Sequence, residues 1–163
     1  MKQRKILKTG TIAIYVLSLI ALSMTGNSQV NQKEKVFNVR DYGASGDSLN
    51  FDTKAIQKAI DACFAEQGGI VRIPAGNYPI GTIRLKSNVS LSLDYGAALL
   101  GSQDIADYDT DLIPAREGNV HCLIYAENSS NIRIEGLGVI DGRGLRKIWP
   151  RKGGPRPRLV RME

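Results

Sequence analysis

Residues 131–144 read N-I-R-I-E-G-L-G-V-I-D-G-R-G, and this stretch decides the fold. Two short β-branched runs, Ile132–Ile134 and Val139–Ile140, alternate with glycines at 136, 138, 142 and 144. Strand, glycine corner and strand again is the grammar of a solenoid whose bends leave no room for side chains. An earlier version of the phrase, N-V-S-L-S-L-D-Y-G-A-A-L-L-G-S, runs from Asn88 to Ser102. The two asparagines stand 43 residues apart. At roughly 20–25 residues per coil, that spacing predicts two coils between them.

The chain has 163 residues, 42% of them hydrophobic and 6% aromatic, which suits a single ordinary folded domain. Its net charge of +6 is unevenly placed. Four basic residues (Lys2, Arg4, Lys5 and Lys8) fall in the first ten positions, and eight lie between Arg143 and Glu163. The body from residue 11 to 142 is left acidic, without the basic face that a phosphate backbone requires, which argues against a nucleic-acid partner.

The N-terminal basic group precedes an apolar stretch from Thr11 to Met24, then Gly26 and Ser28 in the −3 and −1 positions of a cleavage site before Gln29. This is the layout of a secretory signal peptide over residues 1–28, and it predicts a secreted or periplasmic protein. An apolar run of this length is shorter than the roughly 20 residues that span a bilayer, so no membrane association is expected after cleavage.

Cys63 and Cys122 are the only cysteines, too few for a disulfide framework, and they read as buried free thiols. His121 stands beside Cys122 without further ligands at usable spacing, so a structural role is expected in place of zinc.

The first elements differ from the rest. Val36–Val39 reads as a strand and residues 41–47, D-Y-G-A-S-G-D, as a glycine-rich turn. An amphipathic helix is expected from Thr53 to Glu66, capped by Asp52, stapled by Phe51 on Ile56 and ended by Gly68-Gly69. Two apolar rows, Ala55–Ala59–Cys63 and Ile56–Ile60–Phe64, run down one side of it. Beyond it come short strands at 70–73, 82–85, 89–93, 97–100, 123–126, 132–134 and 139–140, with a corner at Pro74–Tyr78. Residues 103–119 break this rhythm as a lateral loop. It carries Asp104, Asp107, Asp109, Asp111 and Glu117, but lacks the glycine and terminal glutamate of a calcium loop. A strand begins at Arg158–Arg161 with nothing stacked beyond it.

The expected fold is therefore an all-β solenoid, a right-handed parallel β-helix, truncated at its C-terminal end. An N-terminal α-helix caps its first coil, where strand edges and core would otherwise be open. Residues 29–163 form the N-terminal part of that β-helix domain.

The opening V-F-N-V-R-D-Y-G-A-S-G-D-S from Val36, the F-D-T-K-A-I-Q-K-A-I-D-A-C from Phe51 and the G-G-I-V-R-I-P-A-G-N-Y from Gly68 resemble the N-terminal segment of polygalacturonase-like enzymes, glycoside hydrolase family 28. G-V-I-D-G-R-G with Trp149, then R-P-R-L-V at Arg156–Val160, resemble the next landmarks. Pectate-lyase-like proteins and epimerases with right-handed β-helices share the opening module. The resemblance implies hydrolysis of glycosidic bonds in a pectic polysaccharide. It also implies that the catalytic aspartates, in N-T-D and D-D motifs supported by G-H-G and R-I-K, follow the R-P-R-L landmark, and none of these motifs is present here.

Inverting glycoside hydrolysis needs two carboxyl groups roughly 6.5–9.5 Å apart. Asp41, Asp47 and Asp52 fall in the first turns and at the helix cap, and Asp141 lies between glycine corners, so each has a structural role to fill. The sequence thus assigns no catalytic, cofactor-binding or metal-ligating residue, requires no cofactor, and predicts a chain inactive by itself. A lyase or epimerase on the same scaffold and a non-catalytic carbohydrate-binding β-helix are the alternatives.

Overall fold

The computed structural model describes residues 34–110, 121–145, 149 and 156–163. The expected signal peptide, together with Asp111 and Glu117, lies outside them.

Among the described residues, ten strands make three parallel sheets. In chain order they are β1 (Val36–Asn38), β2 (Gly69–Ile73), β3 (Gly76–Ile80), β4 (Ile83–Arg84), β5 (Val89–Leu93), β6 (Ala97–Gly101), β7 (Cys122–Ala126), β8 (Arg133–Gly136), β9 (Val139–Asp141) and β10 (Arg158–Met162). The first sheet runs β1-β2-β5-β8, the second β3-β6-β9 and the third β4-β7-β10. Every pairing is parallel. From β2 onward consecutive strands belong to different sheets, so each turn of the chain lays one strand on each sheet, whereas β1 and β2 neighbour each other in the first sheet. This is the expected parallel β-helix.

Register explains the core. Val71, Leu91 and Ile134 stack in the first sheet, Tyr78, Leu99 and Ile140 in the second, and Ile83, Ile124 and Val160 in the third. In the two lower coils all six of these residues are fully buried. Alternation in β5 and β6, where every second residue is buried, turns one face inward as a period of two requires. Burying an aliphatic side chain of this size contributes roughly 1.5–3 kcal/mol, so the three columns hold the coils together.

The coil length corrects the expectation drawn from the two asparagines. Asn131 Nδ2 donates to Asn88 Oδ1 at 2.9 Å, so these residues sit on neighbouring coils and the 43 residues between them are a single turn. Val71 pairs with Leu91, 20 positions on, but Leu91 pairs with Ile134, 43 on. The lateral loop accounts for most of the excess.

The helix α1 spans Thr53–Ala65 and buries Ile56, Ala59, Ile60 and Cys63 against β1, β2 and β4, closing the N-terminal end of the stack. Several details differ from expectation. Phe64 is 47% exposed and lies beneath the Lys86 ammonium, and Phe51 is 54% exposed. Asp52 starts the helix without capping it. Its carboxylate accepts from the Ser45 and Gly46 amides at 2.7 and 3.0 Å, tying down the preceding turn. The helix ends by entering left-handed backbone at Gln67, one residue before the glycine pair. Finally, the corner expected at Pro74–Tyr78 is mostly strand: β3 begins at Gly76, and Tyr78 is its inward residue.

Candidate functional site

Most of the described acidic residues weighed as chemistry are engaged within the fold. Asp47 accepts from the Asn50 and Leu49 amides, both at 2.9 Å, and from the Asn50 side chain. Those bonds hold its carboxyl down at about 2. Asp141 accepts from the Arg143 amide at 2.7 Å, the turn role expected of it. Asp41 lies in a 3-10 turn over residues 39–42. In the lateral loop, Asp104 caps a short 3-10 turn, Asp107 accepts from the Ser102 hydroxyl, and Asp109 pairs with Arg84 at 2.8 Å. The three described loop acids thus have separate partners.

Both cysteines are free and fully buried, and burial pushes each thiol up to about 11. Among the described residues no group of three or more His, Cys, Asp or Glu side chains is placed to hold a metal. His121 accepts at its carbonyl from the Arg158 amide at 2.9 Å, which ties the entrance of β7 to that of β10.

Two features absent from the sequence reading emerge on the third sheet and beside it. Arg84, Tyr125 and Arg161 share one register position on β4, β7 and β10, giving a column of two cations and a phenol. Glu163 pairs with Arg161 and approaches the Tyr125 hydroxyl at 3.4 Å. Burial, then Glu127 and Glu163, raises the Tyr125 hydroxyl to about 12, so the group stays protonated at neutral pH.

The second feature is a cleft of about 490 Å³, lined by Tyr108, Leu123, Gly142, Trp149, Arg156 and Arg158 among others. It lies where the chain passes from the second sheet to the third. The second coil contributes Tyr108 from its lateral loop and the third contributes Trp149 from the segment before β10. The two rings meet edge to face at 6.4 Å and 80°, a favoured aromatic geometry. Tyr108 donates to the Ser102 carbonyl at 2.8 Å, and Arg156 donates to the Trp149 carbonyl at 3.1 Å. Gly101 lies close beneath, and a Cβ there would stand 2.9 Å from the Tyr108 hydroxyl and 3.3 Å from the Gly142 Cα. Trp149 and Arg156 were legible only as landmarks of a resemblance. The signal that could have joined them to Tyr108 is that two successive coils carry long insertions at the same corner, each with one aromatic residue.

Comparison with known proteins agrees with this architecture. Residues 36–103 match the family described as rhamnogalacturonase A/epimerase, pectate lyase-like. The exo-poly-α-D-galacturonosidase of Dickeya chrysanthemi is 43% identical over 143 residues, covering 79% of this chain and 23% of that protein. A mannuronan C5-epimerase of Azotobacter vinelandii is 48% identical over 115 residues, 65% of this chain and 11% of that one. Among solved structures, the family 28 exopolygalacturonase of Yersinia enterocolitica superposes with a TM-score of 0.60 at 43% identity, over 68% of this chain and 21% of that one. The chain thus spans about a quarter or less of the length of these relatives. Three parallel sheets stacked in register, the N-terminal helix and these similarities place the chain in the pectate-lyase-like right-handed β-helix superfamily, as a polygalacturonase-like member.

Proposed function

We propose that this chain is the N-terminal scaffold of an exported glycoside hydrolase that cleaves glycosidic bonds in pectic polysaccharide. The observation that carries the reading is the 43% identity shared with both the Dickeya exo-poly-α-D-galacturonosidase and the Yersinia family 28 exopolygalacturonase. By itself the chain is inactive in this reading. Asp47, Asp52, Asp104, Asp107, Asp109 and Asp141 are each hydrogen-bonded or ion-paired within the fold, and hydrolysis needs two carboxyl groups facing one bond. Export follows from the basic, apolar and small-residue order of residues 1–28.

The test has two arms. Purified residues 29–163 should release no reducing ends from polygalacturonan. A chimaera carrying residues 34–163 in place of the matching segment of the Dickeya enzyme should release them. Turnover by the short chain above a buffer blank would place the catalytic carboxylates within it. A folded chimaera inert on polygalacturonan would remove the pectic assignment. N-terminal sequencing of the exported protein should begin at Gln29, and a start at Met1 would refute signal cleavage.

A second reading has support in the 48% identity to the mannuronan C5-epimerase, whose action also falls on a uronate polymer. A chimaera built on that enzyme would discriminate, since epimerisation breaks no glycosidic bond and releases no reducing ends.

A further inference from the structure

We propose that the mature chain begins with a pyroglutamyl lactam: cleavage after Ser28 frees the amine of Gln29, which closes on its own side chain. The inference rests on the export reading above and goes beyond it, to a covalent change at the new terminus and what that change protects.

Gly26 and Ser28 in the −3 and −1 positions put the cut before Gln29, and its neighbours Ser28 and Val30 have no carboxamide to close a ring. The α-amino group of a free terminus has a pKa of about 7.7–8.0, so on the order of a tenth of it is unprotonated and nucleophilic at neutral pH. That nitrogen attacks Cδ of the same residue and the new C–N bond closes a five-membered lactam. The Cδ–Nε2 bond breaks, and the side-chain nitrogen leaves as ammonia with a proton from the amine. No oxidant, reductant or second substrate is required. In the precursor the same nitrogen is held in the Ser28–Gln29 peptide bond, so the lactam forms only after cleavage.

The way the chain enters the fold gives the lactam a purpose. Glu34, Lys35 and Val36 are exposed, and Val39 is the first buried residue of the described chain. Lys35 anchors the entry at the surface, its ammonium on Glu66 at 2.5 Å and its carbonyl accepting from the Ile70 amide at 2.8 Å. β1 follows at once as the edge strand of the first sheet, with β2 as its neighbour. An exopeptidase working inward from a free amine meets this edge strand before any other element of the fold. Stripping β1 would uncover Phe37 and the part of α1 that packs on the strand. A lactam leaves no α-ammonium for such an enzyme to hold, so it guards the rung on which the helix cap rests.

The test exports the full chain through its own leader and weighs the exported protein intact by mass spectrometry. The expected mass is that of residues 29–163 less one ammonia. Stepwise degradation should read nothing until a pyroglutamyl aminopeptidase removes residue 29, and should then start at Val30. A Gln29→Ala variant should be cut at the same bond, be readable at once, and be shortened by leucine aminopeptidase that leaves the wild-type chain whole. An isotopically labelled Gln-Val-Asn-Gln-Lys peptide, residues 29–33, carried through the same handling measures any lactam formed in the tube. A terminus at Gln29 that keeps its ammonia, or a labelled peptide converted as fully as the protein, would overturn the proposal and leave the cleavage site standing. A terminus at any other residue would overturn both. Equal shortening of wild type and variant would overturn the protection of β1.

Discussion

The coil from Gly69 to Asn88 and the coil from Val89 to Asn131 lay down the same three strands, yet the second is more than twice as long. In the first, the chain crosses from the second sheet to the third through Gly81 and Thr82 alone. In the second, the same crossing takes residues 102–121, and in the third coil residues 142–157. The sheets tolerate no such freedom, because adding one residue to a strand would turn its inward side chains to solvent. The comparison teaches that this solenoid confines variation to one corner, and that the corner is where its cleft lies.

The largest effect should come from the residue the two coils share. Leu91 is fully buried between Val71 below and Ile134 above. Leu91→Ala should cost about 2–5 kcal/mol by loss of burial and creation of a cavity. Ile140→Ala, in the upper rung and only partly buried, should cost clearly less. Urea titration followed by circular dichroism measures both, and equal costs would mean that the coils do not share one core.

Next is the contact between the short corner and the long insertion. A Cβ on Gly81 would stand 1.8 Å from the Asp107 carbonyl oxygen, a backbone atom that must move to admit it. Gly81→Ala should destabilise by about 1–3 kcal/mol through overpacking, whereas Gly144→Ala, with nothing within 4 Å of its Cβ, should be close to neutral. Full tolerance of Gly81→Ala would show that the insertion floats free of the first coil.

A pH experiment sharpens the same contrast. Burial holds the Cys122 thiol near 11 against an ordinary 9.0, and the Tyr108 hydroxyl near 12 against 10.0. Both groups keep their protons longer in the folded chain than in the unfolded one. Their contribution is therefore complete below about pH 9 and is lost as pH rises towards 11–12, on the order of 1 kcal/mol for each. The urea midpoint should fall across that window. Tyr108→Phe should flatten the decline, and an unchanged slope in that variant would place the alkaline sensitivity elsewhere.

The smallest effect concerns ion pairs. Arg84 and Asp109 join the first coil to the insertion at 2.8 Å, but their side chains are 41% and 43% exposed. A double-mutant cycle on this pair should give about 0.2–1 kcal/mol, declining with added salt. A coupling several times larger would make this pair, and not the packing at Gly81, the main tie between the two regions.

The strand positions and the parallel stack were legible in the amino-acid sequence because they follow from local chemistry. β-branched alternation and glycine corners are properties of five to ten neighbouring residues, and β5 begins and ends where that pattern places it. The amphipathic α1 is of the same kind, with Ile56, Ala59, Ile60 and Cys63 buried as their spacing requires. What the sequence could not determine is which repeat stacks on which. The interval between Asn88 and Asn131 fits two short turns as well as one long one, and only the 2.9 Å bond between their side chains decides for one. Asp52 shows the same limit on a smaller scale. Its position suits a helix cap, but the preceding turn brings the Ser45 and Gly46 amides within reach and takes the carboxylate instead. The cleft is the extreme case, since Tyr108 and Trp149 are 41 positions apart and meet only because two insertions leave the stack at one corner. Sequence pattern determined the rungs, since each rung is local. Tertiary structure decided their pairing and the site between them, because both depend on contacts whose distance along the chain no local pattern encodes.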